Sequence, residues 1–172
     1  MKIKKVVLSE SPLGLKISTI GLILIQYNDL ENALRDLIIY DIIIKNKNGN
    51  IDPQITNIVN DLDFKTSCKI CLLMNIIKLE VYNKLNEFRV RRNDFAHQSL
   101  SCQNIFECGN KLEKEFIKKG EIVYDLGGEL IKEIFGNLLK NQKKVHKLTD
   151  SSKVDIEKLL GRKGELRKYK ND

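Results

Sequence analysis

Apolar side chains recur at every third or fourth position through most of this 172-residue chain, and only two prolines interrupt them. This spacing places them on one face of an α-helix, whereas a strand needs two-residue alternation and frequent turns. The longest such stripe carries Ile17, Ile20, Leu24, Tyr27, Leu30, Leu34, Leu37 and Ile38. We therefore expect an all-α chain whose first helix is long and amphipathic and ends in the loop at 46–50.

Further segments have the periodicity or the capping residues of helices. Asp52 and Pro53 are typical of an N-cap and a first helical residue, so a second helix should begin there. Later helices are predicted at about 65–77, 79–96, 130–147 and, strongly basic, 151–170. The chain shows no repeat and no linker. It is long enough for one core, so we expect a single domain over 1–172 with its core at about 16–148.

Glycines make one part of the chain ambiguous. Lys-Lys-Gly at 118–120 fits the turn of a small hairpin near 115–125, but a helix that continues through Gly120 fits equally well. Gly127-Gly128 lacks the Lys and Ser/Thr context of a phosphate-binding loop, so it indicates a turn or a helix break.

Four cysteines raise the question of a metal site: Cys68, Cys71, Cys102 and Cys108. The first pair lies within Lys-Ile-Cys-Leu-Leu-Met, which is typical of the middle of a helix and lacks the turn glycines of a zinc knuckle. We therefore favour buried thiols over metal ligands, and we expect neither a metal ion nor another cofactor.

The charge and the apolar segments limit the partners and the compartment. Thirty basic residues against 23 acidic ones give a net charge of +7, which permits a polyanionic partner such as RNA. The apolar part of the first nine residues is too short for a signal peptide, and charged residues interrupt the apolar region at 17–44. We expect a cytoplasmic protein without a membrane span.

One residue breaks the pattern of the helix predicted at 79–96. Its apolar stripe carries Val81, Leu85, Phe88 and Phe95, and Arg92 falls in the middle of that stripe. A core-facing arginine is costly unless it meets a partner, a ligand or a second subunit, although its long stem could also carry the charge to the surface. On a continuous helix, His97 would point about 140° away from Arg92. The two could then serve one site only if the helix unwinds near Ala96 or if a second chain supplies the complementary pair.

Residues 85–97 resemble the signature helix of HEPN domains. Their sequence is Leu-Asn-Glu-Phe-Arg-Val-Arg-Arg-Asn-Asp-Phe-Ala-His. That motif is an arginine, four to six residues and a histidine. A polar residue, often Asn, commonly follows the arginine, as Asn93 follows Arg92 here. The segment 62–73 resembles the helix that precedes the motif in HEPN proteins of the mannitol-operon-repressor and abortive-infection kinds. The likeness covers roughly residues 16–100 and, more weakly, the later helices.

The resemblance implies a four- to five-helix bundle that dimerises through its motif helices, so that two Arg/His pairs form one cleft. Active members are metal-independent endoribonucleases. Carried over by position, Arg92 and His97 would be the catalytic pair, Asn93 would orient them, and Arg89 and Arg91 would bind RNA. Arg91 also satisfies the spacing rule, so the choice between Arg91 and Arg92 as the catalytic arginine stays open.

The implied function is cleavage of RNA in antiviral defence or in a toxin–antitoxin module. RNA, a second copy of the chain and a neutralising or activating protein would be the partners. Some toxin members carry a tyrosine two residues after the histidine, where this chain has Ser99, so their regulation by modification is not carried over. The alternative is a non-catalytic RNA-binding, repressor or scaffold subunit with the same fold.

Overall fold

The structure, a computed structural model, describes residues 12–46, 51–100 and 110–150, and every element in those ranges is an α-helix. The helices are α1 Pro12–Lys45, α2 Pro53–Asn60, α3 Phe64–Leu73, α4 Leu79–Leu100 and α5 Asn110–Asp150. The predicted all-α helical bundle is confirmed. Within these ranges, no helix is long and apolar enough to span a membrane. The basic helix predicted at about 151–170 lies outside the described residues, as do Cys102 and Cys108.

The described residues form two compact units. The first unit contains residues 12–30, 79–100 and 110–133, and the second contains residues 31–46, 51–78 and 134–150. Each unit buries aliphatic side chains of its own, for example Leu85 and Leu130 in the first and Leu37 and Ile43 in the second. The single domain expected over 1–172 stays a prediction.

The hairpin considered near 115–125 is wrong, because these residues lie inside helix α5. The physical reason is close helix packing. A Cβ added to Gly120 would lie 2.6 Å from Thr19 Cγ2 and 3.0 Å from Phe95 Cζ, so this glycine lets two helices approach. Gly120, Val123, Gly127 and Leu130 are all buried at helical spacing. The alternative of a helix continuing through Gly120 is confirmed.

The turn or helix break expected at Gly127-Gly128 is likewise absent from α5. A Cβ at Gly127 would overlap Gln26 Oε1 and would lie 2.8 Å from Phe88 Cε2. Gln26 itself is buried, and its Nε2 donates a hydrogen bond to the Tyr124 carbonyl at 3.1 Å. Gly127 therefore makes room for a buried polar side chain from α1 rather than for a turn.

Because of this contact, the buried face of α1 differs from the face predicted from the sequence. Ile17 and Leu24 belong to the predicted apolar stripe, yet 61% and 40% of their surfaces are exposed. Ile23 and Gln26 are buried instead. The six-residue apolar run at 20–25 allows either of two faces of α1 to be buried. The packing of Gln26 against α5 determines which of them is.

In the second unit, α2 and α3 begin and end at identifiable capping residues. The predicted N-cap Asp52 is confirmed, since its Oδ1 accepts a hydrogen bond from the Gln54 backbone N–H at 2.8 Å. The predicted helix at 65–77 stops at Leu73, because Asn75 adopts a left-handed φ of 58°. The Asn75 and Ile76 N–H groups donate to the Leu72 and Cys71 carbonyls at 3.0 and 2.8 Å. That is the Schellman arrangement, in which asparagine is the usual substitute for glycine.

Both cysteines of the first pair are buried in α3, as predicted. The Cys71 thiol donates to the Leu34 carbonyl at 3.6 Å. Burial raises the pKa of Cys71, and the charges of Cys68 and Asp41 raise it further. Cys71 therefore stays protonated and behaves as a small apolar residue.

Asp63 gives a pH-dependent test of the capping of α3. Its carboxylate accepts hydrogen bonds from Thr66, which lower the pKa of Asp63 below its ordinary value of 3.8. The stabilisation is thus complete above that value and is lost as the pH falls below it, through the lowered pKa of the folded state. We expect Asp63→Ala to lower the free energy of unfolding by about 1 kcal/mol at pH 7, with a smaller difference at pH 3. Urea unfolding of both proteins at pH 7 and pH 3 measures this difference in the free energy of unfolding.

The matched control for this prediction is Asp61→Ala, which removes a nearby exposed carboxylate and should have little effect. Equal losses in the two variants, or a loss from Asp63→Ala that is the same at pH 3 and pH 7, would contradict the capping role.

Two alanine substitutions in α5 test the contact between Gln26 and Gly127. Gly127→Ala should lower the free energy of unfolding by about 1–3 kcal/mol, because the new methyl group overlaps Gln26 and Phe88. Gly136→Ala should raise it by up to about 1 kcal/mol, since nothing lies within 4 Å of a Cβ there and alanine favours the helix. Stabilisation by both substitutions, measured by urea unfolding, would show that α1 does not pack at Gly127.

Candidate functional site

Helix α4 carries all the predicted site residues. Its apolar stripe is confirmed, because Val81, Leu85, Phe88 and Phe95 are buried. The helix is continuous to Leu100, so it does not unwind near Ala96. Arg92 and His97 therefore point in different directions within one chain, by about 140° on an ideal helix. Of the two conditions for a shared site, only a second chain remains.

Arg92 lies half-buried against an aromatic ring of α1. Its guanidinium carbon is 4.4 Å from the centroid of the Tyr27 ring, within the range of a cation–π interaction. The Tyr27 ring also contacts Phe88, with the ring centroids 6.4 Å apart. Arg92 Nη1 donates to Asn93 Oδ1 at 2.9 Å. The guanidinium is thus held between an aromatic face and a carboxamide.

One donor of this guanidinium is unsatisfied. Arg92 Nε is buried, and no acceptor for it exists among the described residues. Leaving a buried cationic N–H without a hydrogen bond costs free energy that full exposure of the side chain would avoid. The arginine therefore does not simply extend to the surface. Because Nε is buried, an anion from solvent would reach this half-buried guanidinium at its exposed part.

The other two arginines of the motif region have partners within α4. Glu87 Oε1 accepts from Arg91 Nε at 2.8 Å and lies 2.7 Å from Arg91 Nη2. Arg89 Nη2 donates to Asn86 Oδ1 at 3.1 Å. Arg91 is exposed and ion-paired with Glu87, whereas Arg92 keeps an unsatisfied donor.

The exposed side of α4 has an uncharged stripe, which we call the outer stripe: Leu79, Asn83, Asn86, Val90 and His97. These residues are exposed and fall within about 60° of the helix surface. Asn93 is half-buried at its edge. Spacings of three and four residues with apolar side chains at 79 and 90 are typical of a seam between two helices.

The end of α4 that carries His97 is fixed by aromatic packing. Phe95 stacks on Phe116 with ring centroids 4.5 Å apart and an interplanar angle of 26°. Gly120 lies against the Phe95 ring. Lys119 Nζ also donates to Gln98 Oε1 at 3.2 Å. These contacts hold the residues on both sides of His97, so its exposed imidazole projects from an ordered helix.

Sequence reasoning missed the contribution of α1 to this site. The sequence pattern places Tyr27 in an ordinary apolar stripe, although it is an aromatic residue among aliphatic ones. Gln26 follows the apolar run at 20–25 and is the polar residue that this part of α1 buries. An amide beside an aromatic residue at the end of such a run was the available signal.

The described residues contain no group of three His, Cys, Asp or Glu side chains that could hold a metal ion. Comparison with known proteins finds no matching family model, no matching curated protein and no matching solved structure. The site is therefore interpreted from its own geometry and from the sequence resemblance.

A double-mutant cycle tests the contact between Tyr27 and Arg92. Tyr27→Leu and Arg92→Met, made singly and together, should show a coupling free energy of about 0.5–2 kcal/mol in urea unfolding, because each removes one half of the cation–π pair. Tyr82→Leu is the control, since Tyr82 lies about 15 Å along α4 from Arg92 and should show no coupling. A coupling near zero for Tyr27 would contradict the stacking.

Proposed function

We propose that this chain is a metal-independent endoribonuclease, with Arg92 and His97 as its catalytic pair and Asn93 as the orienting residue. The observation that carries the proposal is the half-buried guanidinium of Arg92 with its unsatisfied Nε. It occurs at the arginine position of the HEPN-like motif, and the two neighbouring arginines have partners in α4. Arg89 and Arg91 lie on the flanks of α4, where we assign them to RNA binding.

The chemistry follows from the properties of these side chains. The 2′-oxygen of the ribose attacks the adjacent phosphorus and loses its proton to a base, while the bond from phosphorus to the 5′-oxygen breaks and that oxygen gains a proton. The products are a 2′,3′-cyclic phosphate and a 5′-hydroxyl. An imidazole transfers protons near neutral pH, and a guanidinium binds two phosphate oxygens at once as their charge develops.

One imidazole cannot accept the first proton and donate the second within a single concerted step. Two His97 side chains, one from each chain of a dimer, supply both groups. The outer stripe of α4 supports this arrangement, because it presents His97 on an uncharged surface with Leu79 and Val90 exposed. The Arg92 side chain donates a hydrogen bond to the side chain of Asn93, which lies at the edge of the same stripe. We therefore propose a homodimer paired through α4.

A ribonuclease that needs no metal ion would act on the cell's own RNA unless it is restrained. We propose a cytoplasmic role in antiviral defence or in a toxin–antitoxin module, where a partner protein neutralises or activates the enzyme. Poor expression of the wild-type protein, relieved by His97→Ala, would support that role.

Cleavage of labelled RNA in the presence of EDTA is the direct test. We expect His97→Ala and Arg92→Ala each to lower the rate by at least about 100-fold, because each removes a group that acts in the transition state. The matched control is Arg91→Ala, which should retain cleavage with weaker RNA binding. DNA should stay intact because it lacks the 2′-hydroxyl. Circular dichroism and gel filtration check folding and dimerisation.

Retained cleavage in both His97→Ala and Arg92→Ala would remove these residues from the mechanism. Salt-sensitive RNA binding by the wild type without cleavage would replace the enzyme with the alternative, a non-catalytic RNA-binding, repressor or scaffold subunit.

A further inference from the structure

The last part of helix α5 carries a cluster of lysines that we call the lysine ridge: Lys140, Lys143, Lys144 and Lys147. All four are exposed, and their positions fall within about 100° of the helix surface. None of them has an ion pair among the described residues, where the basic side chains with ion pairs are those of Arg35, Lys45, Lys84 and Arg91.

The ridge differs from the preceding part of the same helix. Residues 110–133 contain five lysines and six acidic residues, so opposite charges alternate along that part. Residues 134–150 contain the four ridge lysines and a single acidic residue, Asp150 at the end of the helix. The change in charge pattern is therefore a local property of the end of α5 and does not simply reflect the basic composition of the chain.

This arrangement is unfavourable for the isolated helix. The pairs 140/143, 140/144, 143/147 and 144/147 all lie at the i,i+3 or i,i+4 spacing, where like charges repel and destabilise a helix. The helix dipole favours positive charge only within the last turn, which holds Lys147. A bound polyanion would remove the repulsion, and a helix that breaks such a local rule is typical of a functional surface.

We infer that the lysine ridge is a docking surface for the phosphate backbone of RNA. The choice of RNA as the polyanion rests on the proposed function. Lys140 and Lys147 are about 10 Å apart along the helix axis, a length over which a strand in a double helix presents roughly three phosphates. Gly136 lies one turn before Lys140 on the same face, with nothing within 4 Å of a Cβ position, so a strand can approach the helix backbone there.

The composition of this face favours a nucleic acid over a membrane. A helix that binds a lipid surface buries large apolar side chains beside its basic ones. The lysine ridge has no aromatic residue, and Leu139 at its border is the exposed large aliphatic residue next to it. Phosphate contacts from lysines carry no base specificity, so the ridge should bind RNA and DNA of equal length alike.

The test uses the full chain with His97→Ala, so that RNA is not cleaved, and a labelled 20-nucleotide single-stranded RNA. The ridge variant changes all four ridge lysines to Gln. The control variant makes the same charge change at four exposed lysines elsewhere, Lys65, Lys69, Lys114 and Lys118. Fluorescence anisotropy gives Kd over a range of salt concentrations.

We expect the ridge variant to bind at least 10-fold more weakly at 0.1 M salt. The slope of log Kd against log salt concentration should be shallower by about two, because the ridge spans roughly three phosphates and each neutralised phosphate contributes about 0.7 for a single strand. The control variant should lose much less affinity. A variant with only Lys143→Gln and Lys144→Gln should show roughly half of the change in slope, which keeps the test valid if four substitutions disturb folding.

Equal losses in the ridge and control variants would overturn the inference, because net charge alone would then explain binding. Binding to phosphatidylserine vesicles through the ridge, without RNA binding, would also overturn it. These outcomes are separate from the proposed function: cleavage by wild type with an unaffected ridge variant removes only the ridge. Ridge-dependent RNA binding without cleavage removes only the nuclease.

Discussion

The hydrogen bond from Gln26 to the Tyr124 carbonyl, with Gly127 making room for the amide, fixes the rotation of α1 in the first unit. The Nε2 donor of this buried amide is satisfied, whereas its Oε1 is buried without a hydrogen-bond donor among the described residues. Because Tyr27 follows Gln26 directly, the same rotation brings its ring against Phe88 and beneath Arg92. The position of the guanidinium in α4 therefore depends on a polar contact between α1 and α5.

Two contacts within the first unit hold the guanidinium of Arg92 in place. The tyrosine ring and the Asn93 carboxamide stabilise part of the guanidinium, while Nε stays buried without an acceptor. Such preorganisation favours a ligand whose oxygen atoms arrive with negative charge, because the arginine need not be desolvated again when they bind. Arg91 differs in this respect, since a phosphate would have to displace Glu87 before it could use that guanidinium.

Much of the fold follows from local sequence. The periodicity of α4 predicts its buried face and the anomaly at Arg92, and Asp52 with Pro53 predicts the start of α2. The buried face of α1 could not be predicted, because a continuous apolar run fits two faces of a helix. Which face is buried depends on Gly127, about 100 residues later. The hairpin near 115–125 was wrong for a related reason. Glycine permits either a turn or close helix packing, and only the partner helix decides between them.

The composite nature of the site is the claim on which the proposed mechanism depends, since Arg92 and His97 of one chain face different directions on a continuous helix. The most direct measurement is the activity of wild-type chains diluted with His97→Ala chains. Because the mechanism needs a His97 from each chain, a mixed dimer of the two should be inactive. Wild-type chains unfolded and refolded together with an excess of about ninefold of His97→Ala chains should keep roughly one-tenth of their EDTA-resistant RNA cleavage per wild-type chain, since random pairing leaves only that fraction in wild-type dimers. Unchanged cleavage per wild-type chain in this mixture would contradict a cleft shared between two chains.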